Sequence, residues 1–333
     1  MRRRNFLGSL LAAPAVLMVA GCGDSDSDSD SDAAASPSGE TSFPVTVQTA
    51  YGEVTIPKQP ERVVVLSLDY LEALVGLGLK PVAAPTGYPF GSWLTGKIDV
   101  KDTSVFSFPN PGREPPIELI ASMRPDLIVG GVYTVTEDTV GLLSNIAPTV
   151  SHDDIAGSSR AGAWESLTRQ LGAATGRNAE ADALIAKAFA SIDDVKKANP
   201  NIEGKKVIFA GISPNGIAAT IGDRHSGMRL LKALGFDQVD LGVSASEYAG
   251  GRASLSLEQL NVFDKADFVI LGAFTNELRD AIKVNPLYTS LEVVKSGRVY
   301  EIDLEGTYAF NTPTALNIPP ILEGMKPALA KVV

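Results

Sequence analysis

Short apolar runs alternate with amphipathic stretches along most of this chain, and the alternation predicts its architecture. Arg62-Val63-Val64-Val65-Leu66 is a continuous apolar run, suited to a strand buried on both faces of a parallel sheet. The period then changes. Leu71, Leu74 and Val75 fall at i, i+3 and i+4, Asp69 and Glu72 stand at capping-box spacing, and Gly76 and Gly78 precede Pro81, so a helix is expected. Val82 to Ala84 starts the next strand, followed by a helix over Pro116 to Met123, a strand over Asp126 to Val129 and a helix over Glu137 to Asn145. Ahead of this series, Phe43 to Gln48 and Val54 to Ile56 flank Tyr51-Gly52 as a hairpin.

One segment differs in kind. From Asn178 to Asn199 there is no glycine or proline, and Ile185, Phe189, Ile192 and Val195 mark one face, which predicts a single helix of about 30 Å ended by Pro200. Alternation then resumes with strands at Lys206 to Ala210 and Gly216 to Ile221, a helix over Gly227 to Leu234, strands at Asp267 to Leu271 and Val299 to Ile302, and a closing helix from about Thr314 to Lys331. The order fits two α/β lobes, 43–176 and 201–333, joined by one long helix at 177–200. A ligand belongs in the cleft between such lobes.

The first residues do not fit this pattern. Arg2, Arg3 and Arg4 lead into an apolar stretch from Phe6 to Ala20, shorter than the roughly 20 residues that span a bilayer, so residues 1–21 read as a signal peptide. Val19-Ala20-Gly21-Cys22 resembles a lipobox, and Arg3-Arg4-Asn5-Phe6-Leu7 resembles the twin-arginine export pattern. Cys22, the only cysteine, is then the lipidated residue, with no thiol left for a disulfide or a thiolate metal site. Residues 22–42 follow as an acidic Asp/Ser tether too polar to fold, with a span of roughly 25 Å. The chain is expected on the outer face of the cytoplasmic membrane.

Charge narrows the partners. The chain carries 39 acidic against 29 basic residues, a net charge of −10, and loss of the three leader arginines makes it about −13, so nucleic acid and anionic lipid surfaces are poor partners. Only His152 and His225 are present, both isolated in sequence, which argues against a bare zinc or manganese site. No G-x-S-x-G, H-E-x-x-H, G-x-x-x-x-G-K-[ST] or G-x-G-x-x-G occurs, and His225 beside Ser226 does not form a nucleophile and base, so the chain is not read as an enzyme; a secreted hydrolase is the weakest alternative.

P-E-R-V-V-V-L (60–66), L-E-A-L-V-G-L-G-L-K-P-V (71–82), I-E-L-I-A-S-M-R-P-D-L-I-V (117–129), L-S-N-I-A-P-T-V (143–150) and N-P-L-Y-T-S-L-E-V-V-K-S-G-R-V-Y (285–300) resemble the blocks of the helical-backbone, class III substrate-binding proteins of ABC transporters, particularly the iron-siderophore group. The resemblance covers nearly the whole mature chain. It implies two Rossmann-like lobes on a rigid helix, a shallow cleft, and a monomer that delivers a ferric siderophore, hydroxamate type favoured, to a membrane permease. The siderophore's own oxygens would hold the iron, so no metal ligand and no resident cofactor is expected from the protein. Heme or a cobalamin is the alternative cargo, and heme would ask Tyr133, Tyr248 or His225 to ligate iron.

Recognition of a caged ion calls for flat apolar surfaces and cationic donors. The resemblance points to Arg113, in an element matching G-R-(x)-E-P, and to Tyr133 after Val129-Gly130-Gly131; a surface pair with Glu114 is the competing role for Arg113. Tyr88, Trp93 and Phe108 are aromatic loop residues of the first lobe that either face the cleft or cap the core. In the second lobe Arg224 and His225 precede a helix start, Tyr248 and Arg252 flank Gly250-Gly251, and Phe274, Tyr308 and Phe310 follow strands. The tryptophan that the family often carries near that last site is missing. Family members dock through an acid on each lobe. Glu72 matches the first, in competition with its capping role, whereas Lys232 reverses the charge at the second, leaving Asp223 or Asp237.

Overall fold

The computed structural model describes residues 42–86, 91–98, 104–107, 115–131, 133–152, 163–222, 225–242 and 252–332. Cys22, the Asp/Ser tether, Tyr88, Phe108, Arg113, Asp223, Arg224 and Tyr248 lie outside these residues. The hairpin forms as expected, β1 (Val45–Thr49) pairing antiparallel with β2 (Gly52–Ile56).

The first lobe is a parallel sheet built from β3 (Val63–Val65), β4 (Ala83–Thr86), β5 (Ser104–Ser107), β6 (Leu127–Gly130) and β7 (Thr149–Ser151), in the order β5-β4-β3-β6-β7. Every residue of β3 and β6 is buried, which is why both read as unbroken apolar runs rather than as alternating ones. Helices α1 (Leu68–Gly76), α2 (Ile117–Ser122) and α3 (Glu137–Ser144) connect the strands. Ser67, not Asp69, is the N-cap of α1, and Asp69 inside the first turn accepts from the Ser67 hydroxyl and, at 2.9 Å, from the Tyr70 amide. The expected capping box of Asp69 with Glu72 is therefore absent.

Two helices follow, α4 (Ala163–Thr175) and α5 (Asn178–Ala198). The second lobe is a six-stranded mixed sheet. Its strands are β8 (Lys206–Ser213), β9 (Gly216–Thr220), β10 (Asp237–Gln238), β11 (Arg252–Leu255), β12 (Phe268–Ala273) and β13 (Val299–Glu301), ordered β11-β9-β8-β12-β13 with β10 also on β8. Its helices are α6 (Ser226–Ala233), α7 (Asn276–Lys283), α8 (Pro286–Ser290), α9 (Glu292–Lys295), α10 (Leu304–Asn311) and α11 (Ile318–Leu329).

Helix α5 serves both lobes. Near its start, Ala181 packs in the core that contains β3 and β6, and Leu184 lies where any side chain at Gly76 of α1 would project. Further along, Ile185, Ala188, Ile192 and Val195 join the core formed by β8, α6 and α11. The stripe read from the sequence is thus the face that buries against the second lobe.

A second tie crosses the seam between the lobes. Leu71, Leu74 and Val75 turn into the first lobe, which leaves Glu72 facing the connection between α10 and α11. Only 2% exposed, its carboxylate accepts from Trp93 Nε1 at 2.9 Å, Thr314 Oγ1 at 2.6 Å and Asn317 Nδ2 at 2.8 Å. Thr314 and Asn317 also hold each other, the Thr314 amide donating to Asn317 Oδ1 and the Asn317 amide to Thr314 Oγ1. Close by, the Ser92 amide of the first lobe donates to Glu305 Oε2 of α10 at 3.2 Å.

Burial nevertheless dominates at Glu72. Desolvation pushes its carboxyl up to about 7, with a smaller push from Asp69, although the bonds from Thr314, Trp93 and Asn317 pull the other way.

Two outcomes follow from this packing. Ile192→Ala should cost about 2–5 kcal/mol in urea unfolding, because it empties a core position shared by α5 and the second lobe. For Glu72 the folded carboxyl binds its proton more tightly than the ordinary value of 4.5, so its contribution to stability is fully present below about 4.5 and is lost as pH rises through about 7. Urea titrations at pH 5 and pH 8 should show a loss on the order of 3 kcal/mol from this group, and Glu72→Gln should remove that part of the pH dependence.

Candidate functional site

The first lobe displays one aromatic side chain at the end of a central strand. The Gly131 amide, just after β6, donates to Ser67 Oγ at 2.9 Å, which ties the end of that strand to the start of α1. A Cβ at Gly130 would lie 2.9 Å from both Leu66 Cβ and Thr134 Oγ1, so the turn closes only around glycine. Beyond it Tyr133 is 67% exposed. This is the carboxyl end of a parallel strand, where open α/β sheets receive ligands.

In the second lobe, α6 and α10 meet nearly backbone to backbone. A Cβ at Gly227 would sit 2.1 Å from the Phe310 carbonyl oxygen, so glycine is what permits the approach. It brings His225, the N-cap of α6, against Asn311, the last residue of α10. His225 Nδ1 accepts from the Gly227 amide at 3.2 Å, and its Nε2 lies 3.1 Å from Asn311 Oδ1. The ring is buried and stands edge-on to Phe209, with centroids 5.5 Å apart.

Arg252 completes the group. As the first residue of β11, which pairs antiparallel with β9, it directs Nη2 to Asn311 Oδ1 at 2.6 Å, and the same nitrogen lies 3.4 Å from His225 Nε2. Asn311 Nδ2 donates to the Thr307 carbonyl at 2.8 Å, which fixes the amide with its oxygen toward both donors.

Charges at the group are unevenly matched. Burial, then Arg252, then Arg229 draw His225 down to about 4 against the opposing pull of its bond to Asn311, so the imidazole is neutral at any ordinary external pH. With Nδ1 accepting, the neutral ring carries its proton on Nε2 and donates it to Asn311. Arg252 is half-buried, and desolvation lowers its guanidinium from the usual range without discharging it. The opposing influence comes from Tyr133, which places that first-lobe phenol within electrostatic range of the second-lobe cation. Among the described residues no carboxylate forms an ion pair with Arg252.

The structure therefore brings together Tyr133, His225 and Arg252 from the expected residues and adds Asn311, which the sequence reading missed. The other described ones lie elsewhere. Phe310 is fully buried, its ring tilted against Phe209 with centroids 5.4 Å apart, and is a core residue rather than a binding surface. Tyr308 is half-buried on the same helix. Both residues were expected in a loop; Asp303, whose side chain accepts from the Gly306 amide at 2.7 Å, was the N-cap signal that could have revealed α10. Phe274 is half-buried with its ring over Gly211 of β8. Trp93 is half-buried in the seam with its indole bonded to Glu72.

His225 has both ring nitrogens engaged, which removes it as a heme ligand. Glu72, inaccessible in the seam, cannot serve as a docking acid. Asp237 is exposed and pairs with Lys206 at 3.2 Å. Among the described residues no three His, Cys, Asp or Glu side chains converge on one point, and no helix is long and apolar enough to cross a membrane.

Comparison with known proteins sets this arrangement in context. The chain is 26% identical over 306 residues to the Fe(3+)-citrate-binding protein YfmC of Bacillus subtilis, covering 90% of this chain and 91% of the relative. To the iron(3+)-hydroxamate-binding protein FhuD of the same organism it is 27% identical over 278 residues, covering 81% and 82%. A periplasmic solute binding protein from Mycobacterium smegmatis superposes with a TM-score of 0.72 at 27% identity, over 86% of this chain and 98% of that one. The family model for periplasmic binding proteins matches residues 63–305, a span that takes in both sheets and α5. With sequence and fold agreeing over that length, the chain belongs to the periplasmic binding protein family, an extracytoplasmic family whose role is transport rather than catalysis.

Proposed function

We propose that this protein is a lipid-anchored receptor that captures a ferric siderophore, hydroxamate type favoured, between its lobes and passes it to an ABC permease. The observations that carry the reading are an exposed phenol, Tyr133, at the carboxyl end of β6 and a half-buried second-lobe cation, Arg252, within its electrostatic range and with no described carboxylate partner. A ring and a guanidinium suit the organic face and the oxygens of a caged ferric ion. The Bacillus relatives named for ferric citrate and ferric hydroxamate support the same cargo class. Arg113, Tyr88 and Phe108 are further first-lobe ligand contacts in this reading, and Arg224 and Tyr248 further second-lobe ones, on the sequence alone. Cys22 carries the acyl chains in this reading, and export by the twin-arginine route fits Arg3 and Arg4.

Docking needs acids other than Glu72. Helix α2 leads into β6, which lies beside the first strand of its sheet; the 3-10 helix Leu257–Lys265 leads into β12, which stands in the same relation to β8. Each helix carries an acid in its first turn, Glu118 and Glu258, both exposed and each next to an exposed leucine, Leu119 and Leu257. These equivalent acidic and apolar points fit the two halves of a permease, and exposed Asp237 is a further acid of the second lobe.

A ferric hydroxamate chelate added to the protein should quench tryptophan fluorescence saturably, whereas heme should give no shifted Soret band. At a hundredfold excess over Kd the chelate should add about 2.7 kcal/mol to stability. Tyr133→Ala and Arg113→Ala should each weaken binding at least tenfold and leave the melting temperature of the empty protein in place; normal binding by both would remove the cleft assignment. The charge reversals Glu118→Lys and Glu258→Lys together should leave chelate affinity intact and stop iron uptake by cells, and unchanged uptake would remove the docking assignment.

A further inference from the structure

Asn311 occupies a position where a carboxylate would be the ordinary choice. Its Oδ1 accepts from a guanidinium at 2.6 Å and from an imidazole at 3.1 Å, and both donors are at least half-buried. An aspartate there would form an ion pair with Arg252 and cancel its charge; the amide supplies the same acceptor atom and cancels nothing. The rest of the surroundings keep the same restraint. His225 is neutral and donates away from Arg252, the Asn311 amide nitrogen is bound to a backbone carbonyl, and no described carboxylate pairs with the cation. Arg252 is thus held by Asn311 without being neutralised.

We propose that Asn311 is a specificity-determining positioning residue: it holds Arg252 as an uncompensated cation that receives an anionic oxygen of the cargo from the second lobe. The inference rests on the ferric chelate reading and deepens it by naming the chemistry that Arg252 requires. Two sources can supply such an oxygen, a deprotonated chelating oxygen on the iron or a free carboxylate at the rim of the chelate. His225 acts through Asn311, as the donor that keeps its amide oxygen in place.

The test uses the full-length protein in detergent, titrated with ferrichrome, an uncharged trihydroxamate complex, and separately with ferric citrate, at low and high ionic strength. Asn311→Asp should weaken binding of whichever chelate the wild type takes by at least tenfold and flatten the salt dependence of Kd. Arg252→Gln should do the same, and the double variant should lose little more than either single one. Melting temperatures of the empty variants show whether the fold survives; if Asn311→Asp does not fold, Arg252→Gln carries the test alone. Loss of ferrichrome binding would identify iron-bound oxygens as the group received, and loss confined to ferric citrate would identify a free carboxylate. A folded Asn311→Asp or Arg252→Gln that binds with wild-type affinity and salt dependence would overturn the proposal and leave the ferric chelate reading standing. Wild-type protein that binds neither chelate would sink both.

Discussion

One helix has to belong to two hydrophobic cores at once, and the geometry of the whole molecule depends on that constraint. Helix α5 gives Ala181 to the first lobe and Ile185, Ala188, Ile192 and Val195 to the second, with Leu184 lying between Gly76 of α1 and the second core, so neither sheet can move far without losing apolar contact along it. The carboxylate of Glu72 adds a directional tie, since it joins α1 to the turn that caps α11 through bonds with little freedom of angle. Together they hold the end of β6 and the start of β11 in one relation, with Tyr133 within electrostatic range of Arg252.

Glu72 and Arg252 are treated in opposite ways. Glu72 is saturated: three donors surround it, yet removal from water still raises its proton affinity, so the group is at home in either protonation state near neutrality. Arg252 is kept charged and has only neutral partners among the described residues. The first arrangement serves cohesion between the lobes, because a closed set of bonds asks nothing of a ligand. The second leaves an unmet electrostatic demand, which is what a binding surface needs.

Much of the fold was legible because parallel strands and amphipathic helices leave different periods. Val63 to Val65, Leu127 to Val129 and Phe268 to Leu271 were evident as apolar runs, and Asn178 to Ala198 stood out by its freedom from glycine and proline. The hairpin was marked by Tyr51-Gly52. Helix α10 was not evident, because only eight residues form it and Gly306 weakens its pattern, while its start depends on a single cap at Asp303. Missing that helix also misplaced Phe310, which the helical period turns inward. Glu72 misled for a related reason. A charged residue in an amphipathic helix normally faces water, and nothing local records that another lobe covers that face.

By itself the sequence determined the two α/β lobes and the long helix, since those follow from local periodicity and turn residues. It also put Tyr133 at a strand end and Arg252 beside a glycine pair. It could not state that Arg252, His225 and Asn311 share one set of hydrogen bonds, for Asn311 lies 59 residues from Arg252 and 86 from His225 along the chain. Only the tertiary structure decided that, through the close backbone approach of α6 and α10 at Gly227. Bonding between distant side chains depends on how faces pack, and packing is a property of the assembled elements rather than of any one segment.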